Sequence, residues 1–340
     1  MREIHVGDSL DQYQLTELLA KSGMASIFKA TDTVTGKDVA LKVPHFHLES
    51  DIVFFERFKR EEKIGQRLEH PNLIKILKPL DRSRMYLAME YVDGKSLRAV
   101  MSEHRPMPTA EAIAFVTQIA EALRYMHAEG VVHRDMKPEN VLVTADNRVT
   151  VLDFGIALDD SALRLTWFKL STAMGTPDYI SPEQIGGRRG DARTDVYALG
   201  TILYEMLTGH LPYSAPNPHS LIRAKTSEDP RPPSYFVPDI DPGLEAVILK
   251  AIARAPRDRY GGMAELLADL RNPSQALRRE GEGEGTGAAQ TGWRARVSRR
   301  WWTTLSILVI LTVLGALVWL SNQPAAVPGG TAVSPRSQIQ

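Results

Sequence analysis

No cysteine occurs among the 340 residues, which excludes disulfides and thiolate zinc sites. Charge of one sign is not in excess either. Lysine plus arginine and aspartate plus glutamate number 41 each, so no global field favours nucleic acid as a partner. The nine histidines lack metalloprotease spacing, and His45 and His47, flanking Phe46 after a strand candidate, read as surface-loop residues. Met1–Leu10 is polar and begins with charges, so no secretory signal is expected there. Long hydrophobic runs are scarce, with one exception. From Trp301 to Leu320 there is no charged residue and most side chains are aliphatic.

At about 1.5 Å per residue that run spans about 30 Å, the thickness of a bilayer's hydrocarbon core. Trp301, Trp302 and Trp319 suit the two interfaces, and Arg294, Arg296, Arg299 and Arg300 lie just before the run. The arginines read better as a positive-inside signal than as a nucleic-acid patch. The expectation is a single-pass helix over 301–320 in the inner (cytoplasmic) membrane, with residues 1–300 cytoplasmic and 321–340 a short non-cytoplasmic tail. Residues 272–300 form a linker, with Glu280–Gly285 alternating glutamate and glycine and burying nothing.

Upstream, alternation predicts strands at Tyr13–Leu19, Ala25–Asp32, Asp38–Val43, Leu73–Leu80 and Met85–Glu90, and a helix over Asp51–Leu68. The period then changes to about 3.6. Thr109 is the expected cap of a helix carrying Ile113, Val116, Ile119, Leu123 and Met126. After Thr194 comes a helix apolar round most of its girth, as a buried central helix would be. Shorter helices are expected near Pro218–Lys225, Pro242–Ala253 and Met263–Leu270.

Two phrases organise the chain: His133–Arg134–Asp135–Met136–Lys137–Pro138–Glu139–Asn140 and, a short hairpin later, Asp153–Phe154–Gly155. An aspartate, a lysine and an asparagine on one irregular loop suit the handling of charge. A second aspartate arriving on the next strand suits a divalent cation. Alone, each reads equally well as a hydrogen-bonded loop. Val39–Ala40–Leu41–Lys42 precedes them, and GTPDYISPE (Gly175–Glu183) and DVYALG (Asp195–Gly200) follow. In this order, the stretch from Tyr13 to Leu270 resembles the bacterial Hanks-type (eukaryotic-like) serine/threonine protein kinases.

The resemblance implies an α+β, two-lobed fold within a domain at 13–271: a small β-rich lobe at 13–89, a hinge at 90–94 and a larger α-helical lobe at 95–271. It implies transfer of the ATP γ-phosphoryl group to serine and threonine hydroxyls of protein substrates, with Mg2+ or Mn2+. Asp135 would orient the acceptor hydroxyl and take its proton, and Lys137 would stabilise the transferring group. Lys42 would grip the phosphates and pair with Glu61, nine residues before His70; Glu62 is what a one-residue slip would substitute. Asn140 and Asp153 would hold the metal. The backbone of Glu90 and Val92 would bind adenine, with Met89 behind it and Leu19, Ile27, Ala40 and Leu142 around the ring. His133, Phe154 and Gly155 would shape the loops, and Asp195 would brace the catalytic loop from the central helix. Glu183 would pair with Arg259, and Thr176 with Lys137 fits the serine/threonine-specific pattern. Thr172 is the expected autophosphorylation site, with Ser171 and Thr166 as alternatives and Arg134 as the phosphate's partner. Three routes of regulation stay open: a cytoplasmic signal, a homodimer or a partner phosphatase.

Two departures stand out. Ala20, Ser22 and Ala25 occupy the places of three glycines in the family's nucleotide loop, leaving Gly23 alone. Small residues are expected to keep their N–H donors, giving a weakened phosphate cradle and a raised nucleotide KM. Gly65, four residues after Glu61, reads as an interior helix glycine costing about 1 kcal/mol and loosening the helix. These departures support one alternative, a catalytically weak pseudokinase serving as a membrane-anchored scaffold. A small-molecule kinase would share the aspartate loop but would not need the GTPDYISPEQ segment.

Overall fold

The computed structural model describes residues 3–48, 51–79, 81–153 and 177–277, all within one compact unit, Met1–Gly285. The second unit, Thr286–Gln340, with the membrane-helix candidate at 301–320, lies outside the described residues.

Period-two alternation builds the first lobe. β1 (Ser9–Leu10), β2 (Tyr13–Lys21), β3 (Ala25–Asp32), β4 (Asp38–Pro44) and β5 (Leu87–Glu90) form an antiparallel sheet in chain order. Because successive side chains alternate between faces, Val39, Leu41 and Val43 pack with Tyr13, Leu15, Phe28, Tyr86 and Ala88 on one side. Ala40 and Lys42 are left for the other, in register with Met89 and Leu87 of β5. The first three expected strands are present, each within two residues of its predicted ends.

The expected strand Leu73–Leu80 is not. Leu73 bridges to Val151 and Ile76 to Met89, with Ile74 N–H donating to Val151 C=O at 3.0 Å and Leu77 N–H to Ala88 C=O at 2.8 Å. The segment changes partner within a few residues, so no continuous ladder forms, and alternation alone cannot reveal that. Its expected neighbour Met85–Glu90 shortens to β5.

Asp51 caps α1 (Ile52–Gly65), its carboxylate accepting from Val53 N–H at 2.8 Å and Phe54 N–H at 3.1 Å. The helix stops short of Leu68, and Gly65 is its last residue rather than an interior one. Glycine's poor helix propensity therefore falls where it costs least, and the expected loosening of the helix has no basis.

The second lobe is helical: α2 (Leu97–Glu103), α3 (Thr109–Ala128), α4 (Pro182–Ile185), α5 (Ala192–Thr208), α6 (Pro218–Ser227), α7 (Pro242–Ala251) and α8 (Met263–Arg271). α3 packs on α5 and α8, and α5 on α7. Every α5 residue from Thr194 to Thr208 is buried, as its apolar girth predicts. Two helix starts differ from expectation. Pro108, not Thr109, is the cap of α3, because its C=O already accepts from Ala112 N–H at 3.0 Å. α5 begins before Thr194, capped by Asp191, whose carboxylate accepts from Arg193 N–H at 2.9 Å. At the far end Gly209, φ 70°, takes the left-handed C-cap that a side chain would strain. β6 (Gly94–Ser96), β7 (Val141–Thr144) and β8 (Val149–Val151) form a second antiparallel sheet. β7 and β8 are the hairpin expected between the two motif phrases.

Candidate active site

α3 delivers the chain into the loop His133–Asn140. Arg134 has φ 65°, a conformation that costs a non-glycine residue about 1–3 kcal/mol unless its surroundings impose it. They do. The buried Asp195 carboxylate on α5 accepts from Arg134 N–H at 2.7 Å and His133 N–H at 2.9 Å, and Gln184 Nε2 donates to Arg134 C=O at 2.9 Å. His127 Nε2 lies 2.7 Å from the same carboxylate. The brace expected of Asp195 is thus present in the geometry.

Within the loop, Lys137 Nζ is 2.8 Å from Asp135 Oδ2, and Asn140 Nδ2 donates to Asp135 C=O at 2.8 Å and to Oδ2 at 3.2 Å. Leu152 N–H donates to Asn140 C=O at 2.8 Å, and His133 Nε2 is 3.0 Å from Leu152 C=O. These bonds bring the exit of β8, and hence Asp153 at φ 48°, beside the loop.

From the sheet side, Lys42 Nζ lies 2.8 Å from Glu61 Oε1 and 2.7 Å from Asp153 Oδ1. One ammonium therefore joins β4, α1 and the segment after β8. Burial disfavours the Lys42 ammonium, but the Asp153 and Glu61 carboxylates outweigh it and hold its pKa above the ordinary lysine value. Burial raises the Glu61 pKa despite Lys42. Burial works against ionised Asp153 too, yet the ammonium holds its carboxyl below the usual range. Glu62 does not take this place: it pairs with Arg82, Nη1 to Oε2 at 2.9 Å, and accepts from Gln66 Nε2 at 2.9 Å.

The residues fit a magnesium ion on two counts. Asn140 spends its NH2 group on Asp135, leaving its amide oxygen, and Asp153 brings a carboxylate that Lys42 holds ionised. Two hard oxygen donors suit a cation that keeps water and phosphate as its other ligands. No group of three or more His, Asp or Glu able to hold a metal unaided occurs among the described residues.

Around Lys42 the sheet offers an apolar roof. Ile27 lies opposite Lys42 in the β3–β4 register, and Ala40 lies opposite Met89. Leu142 of β7 packs against the same core cluster, and Val92 is buried. Leu19 is largely exposed. Glu90 N–H donates to Lys75 C=O at 2.9 Å, so of its backbone pair only the carbonyl is left for adenine.

The nucleotide loop differs from expectation. Ser22 Oγ accepts from Ala25 N–H at 3.1 Å and Met24 N–H at 3.3 Å, while Ser22 N–H donates to Ala25 C=O at 2.9 Å. The donors are present, but Ser22 itself holds two of them in a closed turn. Gly23 has open space at its Cβ position and no positive φ, so the turn does not require glycine there. Ser22→Gly removes the competing acceptor. At about 0.5–1.5 kcal/mol net per hydrogen bond, the variant is expected to lower the ATP KM about threefold to tenfold in steady-state assays. An unchanged or higher KM would show that the turn does not compete with phosphate.

Farther out, Arg259 and Glu183 form a bidentate pair at 2.8 and 2.7 Å. Phe154, Gly155, Thr166, Ser171, Thr172 and Thr176 lie outside the described residues. Two features escaped the sequence reading. Arg98 joins Glu139 of the catalytic loop and Glu205 of α5, each at 2.8 Å, and also Tyr179. Lys225 is buried against the 177–180 backbone. For Lys225 a signal existed, since it follows the apolar Leu221 by one helical turn.

A five-stranded lobe and a helical lobe, joined through a lysine shared by two carboxylates, define the two-lobed kinase architecture. Residues 13–269 match the family model "Protein kinase domain", and the chain belongs to that family. It is 40% identical over 268 residues to the serine/threonine-protein kinase PknB of Mycobacterium leprae, covering 76% of this chain and 42% of that one. To PknB of Mycolicibacterium smegmatis it is 39% identical over 267 residues, again 76% and 42%. The chain thus spans about two fifths of the length of these curated relatives. Among solved structures it is similar to the Mycobacterium tuberculosis PknI kinase domain, 29% identical with a TM-score of 0.62, covering 80% of this chain and all of that one. Members of the family use ATP and Mg2+.

Proposed function

We propose that the chain is a serine/threonine protein kinase that transfers the ATP γ-phosphoryl group to hydroxyls of protein substrates. The observation that carries this reading is the convergence of β4, α1 and the β8 exit on the Lys42 ammonium, with the Asp135–Lys137–Asn140 loop tied to that exit through Leu152. Lys42 supplies a positive charge for nucleotide phosphate, and Glu61 holds it there. Asp135 has Lys137 and Asn140 on Oδ2, which leaves Oδ1 to orient an acceptor hydroxyl and take its proton. Lys137 then lies within reach of the transferring group. Asn140 and Asp153 would hold Mg2+ or Mn2+, which when bound neutralises phosphate charge.

Incubating the full chain with labelled ATP, Mg2+ and a generic protein acceptor tests this reading, with mass spectrometry locating the label. Label on Thr172, or on Ser171 or Thr166, is the expected autophosphorylation. An active chain bare in that segment would remove the autophosphorylation proposal while leaving the transfer activity. The pseudokinase alternative keeps one specific support, the closed turn that Ser22 makes in the nucleotide loop. Wild-type chain that binds ATP without transferring phosphate would favour it.

The anchor is proposed on sequence grounds: a cytoplasmic catalytic domain, the linker 272–300 and one helix at 301–320 in the inner membrane. The full chain is expected in the carbonate-resistant membrane fraction, and a chain ending at residue 280 in the soluble one. Equal partitioning of the two would refute the anchor. A homodimer and a partner phosphatase are the proposed regulatory partners, tested by light scattering of the detergent-solubilised chain and by phosphatase co-purification.

A further inference from the structure

Lys225 sits on the buried face of α6 with Leu221 and Ala224 and is 1% exposed. Its ammonium donates to the backbone carbonyls of Pro177 at 2.9 Å, Ile180 at 2.8 Å and Asp178. An ammonium has three donors, so all are used. Burying a charge is costly unless it is fully hydrogen-bonded, and an apolar side chain would fill the same space without that cost. Burial pushes the Lys225 pKa down to about 7, with Asp178 offsetting part of the fall. What the lysine supplies that a hydrocarbon would not is a fixed direction for three peptide carbonyls in four residues.

Those residues are held elsewhere as well. The Tyr179 hydroxyl donates to Glu205 and meets Arg98, which reaches Glu139 in the catalytic loop at 2.8 Å. Just beyond, Ser181 N–H donates to Gln184 Oε1 at 3.1 Å, and Gln184 Nε2 donates to Arg134 C=O at 2.9 Å. The 177–181 backbone is thereby tied to the catalytic loop at two points, with Lys225 holding it from α6.

We propose that Lys225 is a positioning residue for the protein acceptor: it fixes the 177–181 backbone, which Tyr179 and Gln184 tie to the loop carrying Asp135, as the bed on which the acceptor chain is laid before its hydroxyl reaches Asp135. This rests on the kinase reading above and adds a residue that acts on the acceptor and not on ATP.

The test uses Lys225→Met in the full chain, with Lys225→Gln as a second variant that keeps two donors in case the first fails to fold. Kinetics should show the acceptor KM raised about tenfold, the size expected for lost charge-assisted hydrogen bonds, with the ATP KM within about twofold of wild type. Hydrogen exchange should quicken at the Asp178–Ser181 amides and stay unchanged around Lys42 and Glu61. The proposal is overturned if the acceptor KM is unchanged, or if the ATP KM rises with it. A wild-type chain with no transfer activity would sink the kinase reading instead. Exchange then decides for Lys225, and unchanged amides at 178–181 overturn its role.

Discussion

Asp135→Asn is expected to lower phosphoryl transfer by about a hundredfold to ten-thousandfold while leaving ATP affinity within about twofold. The carboxylate is about half exposed, at 46%, and is fixed by Lys137 at 2.8 Å and Asn140 at 3.2 Å. Asparagine keeps its shape but cannot accept the acceptor's proton. ATP affinity should survive because the groups assigned to the nucleotide, Lys42, Glu61 and Asp153, form a separate cluster with its own ion pairs at 2.8 and 2.7 Å. Steady-state turnover with nucleotide titration checks both halves. A loss under about tenfold would show that Asp135 is not the base.

Arg259→Met should cost about 3–5 kcal/mol of stability, the range for breaking a buried ion pair from one side, and lower Tm by roughly 10 °C. All five guanidinium donors are in use: Nε on Ala253 C=O at 2.7 Å, Nη1 on Glu183 at 2.8 Å and Arg193 C=O at 3.0 Å, Nη2 on Glu183 at 2.7 Å and Arg254 C=O at 3.0 Å. Removing them leaves a buried carboxylate with no cation on it, only neutral donors: Thr194 Oγ1 at 3.0 Å, the Ser181 side chain and its own backbone N–H. Arg259→Lys should rescue little, since one ammonium cannot serve five directions.

The same pair sets a pH dependence. Burial favours neutral Glu183, but Arg259 outweighs it and holds the pKa below the ordinary glutamate value. A carboxylate lowered on folding contributes stability that is full above its unfolded pKa and is lost as pH falls through the folded one. Wild-type Tm should therefore drop on the acid side through that window, and Arg259→Met should lose most of this dependence. Parallel acid limbs in the two proteins would contradict the assignment.

Much of the site was legible because each part is a local pattern read in sequence order. Lys42, Asp195 and the choice of Glu61 over Glu62 came from the resemblance of those motifs, in their order and spacing, to one family, and not from periodicity alone. What was not legible depends on which groups meet across the fold. Alternation at 73–80 could not show a backbone shared between two sheets. Counting residues to Gly65 could not show that α1 ends there. The choice of small residues at 20, 22 and 25 could not show that Ser22 would close on its own loop. The partners of Arg98 and Lys225 belong to the same class, 41 or more residues away in sequence, although the burial of Lys225 had a signal in Leu221 one turn before it.

The central claim is that Lys42, Glu61, Asp135, Asn140 and Asp153 act as one phosphoryl-transfer site. Its most direct test is the rate of label transfer from γ-labelled ATP and Mg2+ to a serine- and threonine-containing protein, for wild type and Asp153→Ala side by side. The account predicts phosphoserine or phosphothreonine from the wild type and almost none from the variant. Equal transfer by both, or none by a folded, ATP-bound wild type, would contradict it.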